Sequence, residues 1–176
     1  MHFQEFAPLH SKKVLILDRD GTLNRDTGYE HNKDDLLVIP EAVDFLGKAV
    51  DLDFSFVLAT NQGGVALGKF SKDQSLEFNA ELAIRFAAMG ILFSAAYICF
   101  HHPFSLDPEK RDCLCRKPKP GMLFRVLLDY GLEKSMVLMV GDQESDREAA
   151  NAAGIGFLKI GSRDLWDLAC DNLEEF

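Results

Sequence analysis

The strongest constraint on the fold is a set of short, nearly continuous apolar runs that end abruptly at polar residues. Val14–Leu17 stops at Asp18, residues 54–59 stop at Thr60-Asn61, and residues 136–140 stop at Gly141-Asp142. Residues 95–99 and 156–160 are two further runs of the same kind. Runs this short and this apolar read as strands covered on both faces, the pattern of a parallel sheet. Helical patterns separate them. One spans 41–50. Another opens at Ser71, with Gln74 as its capping-box partner and Phe78, Leu82 and Phe86 as its apolar stripe. A third follows Pro120, carries Leu123, Val126, Leu127 and Tyr130, and stops at Gly131. A fourth spans 145–153 and stops at Gly154. This alternation predicts an α/β fold over residues 1–176: a single domain with a doubly wound, mostly parallel, Rossmann-like sheet and helices on both faces.

Composition narrows the function classes. The net charge of −9 argues against non-specific nucleic-acid binding, which needs a basic face. It leaves room for a small phosphorylated substrate, because a few local cations set the field inside a cleft. No apolar run approaches the length of a membrane span, and residues 1–13 do not resemble a signal peptide. The expectation is a cytoplasmic, monomeric enzyme without a membrane or nucleic-acid partner.

Ligands of such sheets bind beyond the carboxyl ends of the strands. Asp18, Asp20, Thr60, Asn61 and Asp142 all fall there, and Lys117 follows the long insertion after the third run. Asp18 and Asp20, two apart at a strand end, point to the same side and repel each other unless a cation intervenes. With Asp142 they form a hard oxygen set suited to Mg²⁺. One carboxylate can attack phosphorus, while the second protonates the leaving oxygen and then activates water. The Thr60 hydroxyl, backbone N–H groups and Lys117 are candidate donors to the phosphoryl oxygens, and Gly21 lets the backbone approach closely. Each fragment alone has a plainer reading, since Asp-x-Asp-Gly also occurs in turns and calcium loops, and Thr60-Asn61 also fits a helix cap. Their joint arrival at strand ends favours the catalytic reading.

Three of the four cysteines cluster with histidine. Cys99-x-His101 and Cys113-x-Cys115 make a four-ligand Zn²⁺ set with no open position, a structural site that would staple the excursion from Cys99 to Arg116. His102 competes with His101 as the imidazole ligand, and Cys170 reads as a core residue.

The set resembles the haloacid dehalogenase (HAD) superfamily. Asp18-Arg19-Asp20-Gly21-Thr22 is similar to its first motif, Thr60-Asn61-Gln62 to its second, Lys117 to its third and Gly141-Asp142 to its fourth. That resemblance implies a phosphatase with Asp18 as nucleophile and Asp20 as acid/base. It implies Mg²⁺ on Asp18, Asp142 and the backbone carbonyl of Asp20, with Thr60 and Lys117 stabilising the phosphoryl group. Asp146 resembles the second acidic residue of the fourth motif, or else serves the first turn of its helix. Cys99-Phe100-His101-His102-Pro103 and Cys113-Leu114-Cys115-Arg116-Lys117-Pro118 resemble the histidinol-phosphatase and heptose-bisphosphatase group, which lacks a large cap domain. The loop from Asp26 to His31 and the stretch Gly68-Lys69-Phe70 resemble the heptose bisphosphate enzymes. By that likeness Asp26, Thr27, Gly28, Tyr29, Thr60, Asn61, Gln62, Gly63, Arg116 and Lys117 contact substrate, and the 7-phosphate of a heptose 1,7-bisphosphate is removed. Thr27, Gly63 and Gln143 depart from that group's usual residues. The alternatives are histidinol phosphate as substrate, or a non-catalytic phosphate-ligand binding protein.

Overall fold

The computed structural model describes residues 1–29 and 31–176, so Glu30 of the Asp26-to-His31 loop lies outside the described residues. Six strands form one sheet: β1 (His2–Glu5), β2 (Val14–Leu17), β3 (Ser55–Asn61), β4 (Phe93–Cys99), β5 (Val137–Gly141) and β6 (Gly156–Lys159), in the order β1-β4-β3-β2-β5-β6. All neighbours pair in parallel except β1, which runs antiparallel to β4 at the edge. Among the described residues five α-helices complete the fold: α1 (Pro40–Asp51), α2 (Lys72–Ala87), α3 (Gly121–Tyr130), α4 (Glu144–Ala153) and α5 (Arg163–Glu174).

The central strands β2 and β5 are apolar throughout because both their faces are covered. Leu15 and Leu17 of β2 face one core with Phe45 of α1, Phe78 and Phe86 of α2 and Trp166 of α5. Val14 and Ile16 face the other, with Met122 and Val126 of α3 and the alanines of α4. Alternation on a strand sends neighbours to opposite faces, so a run buried on both sides is apolar at nearly every position, with the small hydroxyls of Ser55 in β3 and Ser94 in β4 as buried exceptions. The expected capping box at Ser71 and Gln74 is present, with both reciprocal hydrogen bonds. Gly131 and Gly154 cap α3 and α4.

Two elements lay outside the sequence reading. Strand β1 alternates half-buried and exposed residues, so it lacks the apolar run that marked the others. Helix α5 buries only Trp166, Ala169 and Leu173 among charged neighbours. Cys170, read as core, is half-buried against that same cluster. No helix among the described residues is long and apolar enough to cross a membrane.

Candidate active site

The carboxyl ends of β2, β3 and β5 deliver their polar residues to one cleft of about 390 Å³. It is lined by Asp18 and Asp20, by 60–64, by Arg116 and Lys117, and by Asp26, Gly28, Tyr29, Phe70, His102, Gln143, Ser145 and Asp146. Every residue singled out for catalysis or substrate contact lies on this wall except Thr27. Asp142 is not part of the lining, but its carboxylate lies within 4.8 Å of those of Asp18 and Asp146, which are.

Lys117 is the charge at the centre. Its Nζ lies 2.7 Å from Asp18 Oδ1 and 2.7 Å from Asp146 Oδ1, and all three groups are essentially buried. Asn61 fixes the Lys117 backbone from both sides, donating from Nδ2 to its carbonyl at 3.0 Å and accepting its N–H at 3.1 Å. Asn61 therefore also positions Lys117, a role its place in the sequence did not suggest. Carboxylate oxygens of Asp18, Asp142 and Asp146 lie within 4.8 Å of one another. Burial, followed by the Asp146 and Asp20 carboxylates, pushes the Asp18 carboxyl up to about 7 against the pull of Lys117. Asp142 is also raised, by burial first and by Asp146. Three close carboxylates facing one ammonium leave an excess of negative charge, which a hard divalent cation such as Mg²⁺ would balance. The donor set therefore fits that ion.

The backbone is shaped around this cluster. Gly21 has φ +79°, and a Cβ there would stand 2.5 Å from Asp142 Oδ2, so both conformation and space demand glycine. Thr22 Oγ1 donates to Asp142 Oδ1 at 3.5 Å, and Gln143 Nε2 donates to Asp142 Oδ2. Asp146 serves the first turn of its helix and also meets Lys117. Its Oδ2 accepts the Gln143 N–H at 3.1 Å, completing a capping box on α4, while Oδ1 meets Lys117.

The Asp20 carboxylate stands outside the three-carboxylate cluster. Arg19, fully buried, grips it with Nε at 2.9 Å and Nη2 at 2.8 Å, while Asn24 and Gln62 donate to it at 3.0 and 2.8 Å. The guanidinium is itself held by Asn79 Oδ1 at 2.9 Å and lies over the Phe78 ring, 4.4 Å from its centroid. The repulsion expected between Asp18 and Asp20 is thus relieved by two separate cations, Lys117 for one and Arg19 for the other. In the sequence Arg19 stood only as a member of the Asp18-Arg19-Asp20-Gly21-Thr22 run, with no role of its own. Thr60, also buried, accepts from Gln62 Nε2 at 2.9 Å.

Cys99, His101, Cys113 and Cys115 converge. Cys99 Sγ lies 3.6 Å from Cys113 Sγ, and His101 Nδ1 lies 3.5 Å from the sulfurs of both Cys99 and Cys115. A tetrahedral Zn²⁺ with bonds of about 2.3 Å to sulfur and about 2.0 Å to nitrogen spaces its ligands about 3.8 Å (S to S) and about 3.5 Å (S to N) apart. The cluster fits that ion. His101 supplies the imidazole, and His102 turns to the cleft instead.

Residues 114–162 match the HAD-hydrolase-like family. The chain is 38% identical over 144 residues to a D-glycero-beta-D-manno-heptose-1,7-bisphosphate 7-phosphatase of Pasteurella multocida, covering 82% of this chain and 78% of that protein. Among solved structures it superposes with a TM-score of 0.80 and 29% identity on a D,D-heptose 1,7-bisphosphate phosphatase from B. bronchiseptica complexed with magnesium and phosphate, covering 93% of this chain and 99% of that one. A HAD-like phosphatase from Mesorhizobium loti shares the fold at a TM-score of 0.86 and 24% identity, covering 98% of this chain and 92% of that one. The pocket chemistry and these relatives lead to one conclusion: the chain belongs to the HAD-like phosphatases, in the family that includes the heptose-bisphosphate 7-phosphatases.

Proposed function

We propose that this phosphatase removes the 7-phosphate of D-glycero-D-manno-heptose 1,7-bisphosphate through an aspartyl-phosphate on Asp18. The observation that carries the reading is Lys117 Nζ, poised 2.7 Å from both Asp18 and Asp146 on the cleft wall. The names of the Pasteurella and B. bronchiseptica relatives support the substrate and the metal.

Asp18 attacks phosphorus as the bond to the sugar oxygen breaks. Asp20, protonated before the attack, gives its proton to that oxygen and regains one from the water that releases phosphate from Asp18. Lys117 and the Thr60 hydroxyl donate to the phosphoryl oxygens, where charge develops. Asp146 aims Lys117, and Arg19 with Gln62 holds Asp20. Asp18, Asp142 and the backbone carbonyl of Asp20 would hold Mg²⁺, which supplies charge neutralisation for carboxylates and phosphate when bound. Asp26, Gly28, Tyr29, Asn61, Gly63 and Arg116 contact the sugar and its second phosphate, and a guanidinium suits the latter. Cys99, His101, Cys113 and Cys115 would hold a structural Zn²⁺, which a reducing cytoplasm would favour over disulfides.

The test is turnover of heptose 1,7-bisphosphate and histidinol phosphate by purified protein with Mg²⁺. A clear preference for the heptose ester is expected, and preference for histidinol phosphate would overturn the substrate. Asp18→Asn should lower turnover by about three orders of magnitude or more while the fold persists, as read by circular dichroism.

A further inference from the structure

We propose that His102 is a specificity residue that donates a hydrogen bond from Nε2 to the substrate beyond the scissile phosphate. The proposal rests on the phosphatase reading above and adds to it.

Three observations converge on this imidazole. First, it lines the cleft beside Gly63 and Arg116. A Cβ on Gly63 would stand 2.7 Å from His102 Cδ2 and 3.0 Å from Arg116 Nη1. Real side chains do not tolerate such a contact, so the ring and the guanidinium fill the space that a bare glycine leaves open. Second, the ring's tautomer is set by its own loop. The Phe104 backbone N–H donates to His102 Nδ1 at 3.2 Å. A nitrogen that accepts carries no proton, so the neutral ring presents its N–H at Nε2. Third, the backbone around it is pinned. The His102 N–H donates to Lys110 O at 2.9 Å, and its carbonyl accepts the Ser105 N–H at 3.0 Å. Ser105 Oγ donates in turn to Ala66 O at 3.0 Å, across to the segment that follows Gly63.

None of these bonds among the described residues joins His102 to Asp18, Asp20 or Lys117. Its neighbours in the cleft are Gly63 and Arg116 rather than the Lys117 cluster, which suits it to the part of the ligand that the phosphate is attached to. Arg116 shares that place and is steadied by the same loop, with Nη1 donating to His101 O at 3.1 Å. The pair would offer a neutral donor and a cationic fork to a polyhydroxylated or doubly phosphorylated ligand. A donor left unpaired by a smaller ester costs binding, which is how such a site discriminates.

The test compares kcat/KM for heptose 1,7-bisphosphate with kcat/KM for p-nitrophenyl phosphate, a small ester lacking the hydroxyls. His102→Ala should lower the ratio of the two by roughly three- to tenfold, mainly through KM for the sugar, the loss of one neutral hydrogen bond. His102→Gln places an amide N–H near the Nε2 position and should recover most of the ratio, whereas His102→Asn should not. Zinc content is measured on every variant. An unchanged ratio in His102→Ala would sink the proposal, and so would a fall that tracks zinc loss. Failure of the wild type itself to hydrolyse the sugar ester would instead remove the reading on which the proposal rests, and the proposal with it.

Discussion

Lys117 and Arg19 show how a strongly acidic chain builds an anion-binding cleft. Each buried cation is committed to carboxylates: Lys117 to Asp18 and Asp146, Arg19 to Asp20. Removing one partner from a buried ion pair leaves uncompensated charge, which costs more than the pair contributes. Lys117→Met should therefore destabilise the protein by about 3–5 kcal/mol in the presence of a chelator. The measurement is the urea midpoint. Added Mg²⁺ should narrow the gap to wild type, because a cation between Asp18, Asp142 and Asp146 relieves the same repulsion. A gap that ignores Mg²⁺ would separate this carboxylate cluster from metal binding.

The excursion between β4 and α3 has almost no core of its own at the scale of elements. Phe104, Leu106 and Leu114 are exposed, and a single 3₁₀ turn at Pro108–Lys110 is its regular structure. The cysteine cluster ties its two ends together, and Arg116 and Lys117 follow directly after Cys115. Zinc removal should thus loosen the loop before the sheet. One zinc per chain is expected by elemental analysis. A strong chelator should make the 103–112 segment sensitive to protease and depress activity, while far-ultraviolet circular dichroism changes little. Retained activity in zinc-free protein would contradict this coupling.

A second link joins β4 to α3, where the Tyr97 hydroxyl donates to Asp129 Oδ2 at 2.8 Å. Burial first, and the hydrogen bond to Asp129 second, hold the Tyr97 phenol above its ordinary value. A group whose folded pKa is raised stabilises the fold below its unfolded value, near 10, and that stability is lost as pH rises beyond it. Wild type should lose stability above about pH 10 more steeply than Tyr97→Phe. Parallel pH curves of unfolding free energy would show that the pair carries no such linkage.

The whole molecule depends on covering both faces of one sheet. On the α1, α2 and α5 side the aromatic residues do this, and the Phe45 and Trp166 rings meet with centroids 5.5 Å apart. Helix α5 is therefore part of the core rather than a tail. Trp166→Ala should cost about 3–5 kcal/mol, read from denaturant unfolding. A loss below about 1 kcal/mol would mean that α5 packs too loosely to matter. With both faces filled, the carboxyl edge of the sheet is held rigidly enough to bring β2, β3 and β5 to one cleft.

Much of this was written in local sequence. The apolar runs named five of the six strands among the described residues, since a strand covered by helices on both faces is apolar at nearly every position. The polar residues at their ends named Asp18, Thr60, Asn61 and Asp142, because chain direction in a parallel sheet puts all those ends on one edge. The Cys-x-His and Cys-x-Cys pairs named the cysteine–histidine cluster by residue type and spacing. What only tertiary structure decided was pairing across distance. Strand β1 and helix α5 carry weak local patterns and are stabilised by what they pack against. The choice of His101 over His102, the double part played by Asp146, the grip of Arg19 on Asp20 and the absence of Thr27 from the cleft wall all depend on where side chains meet. Residues 19 and 79, or 63 and 102, become neighbours only after folding, and no local pattern encodes such contacts.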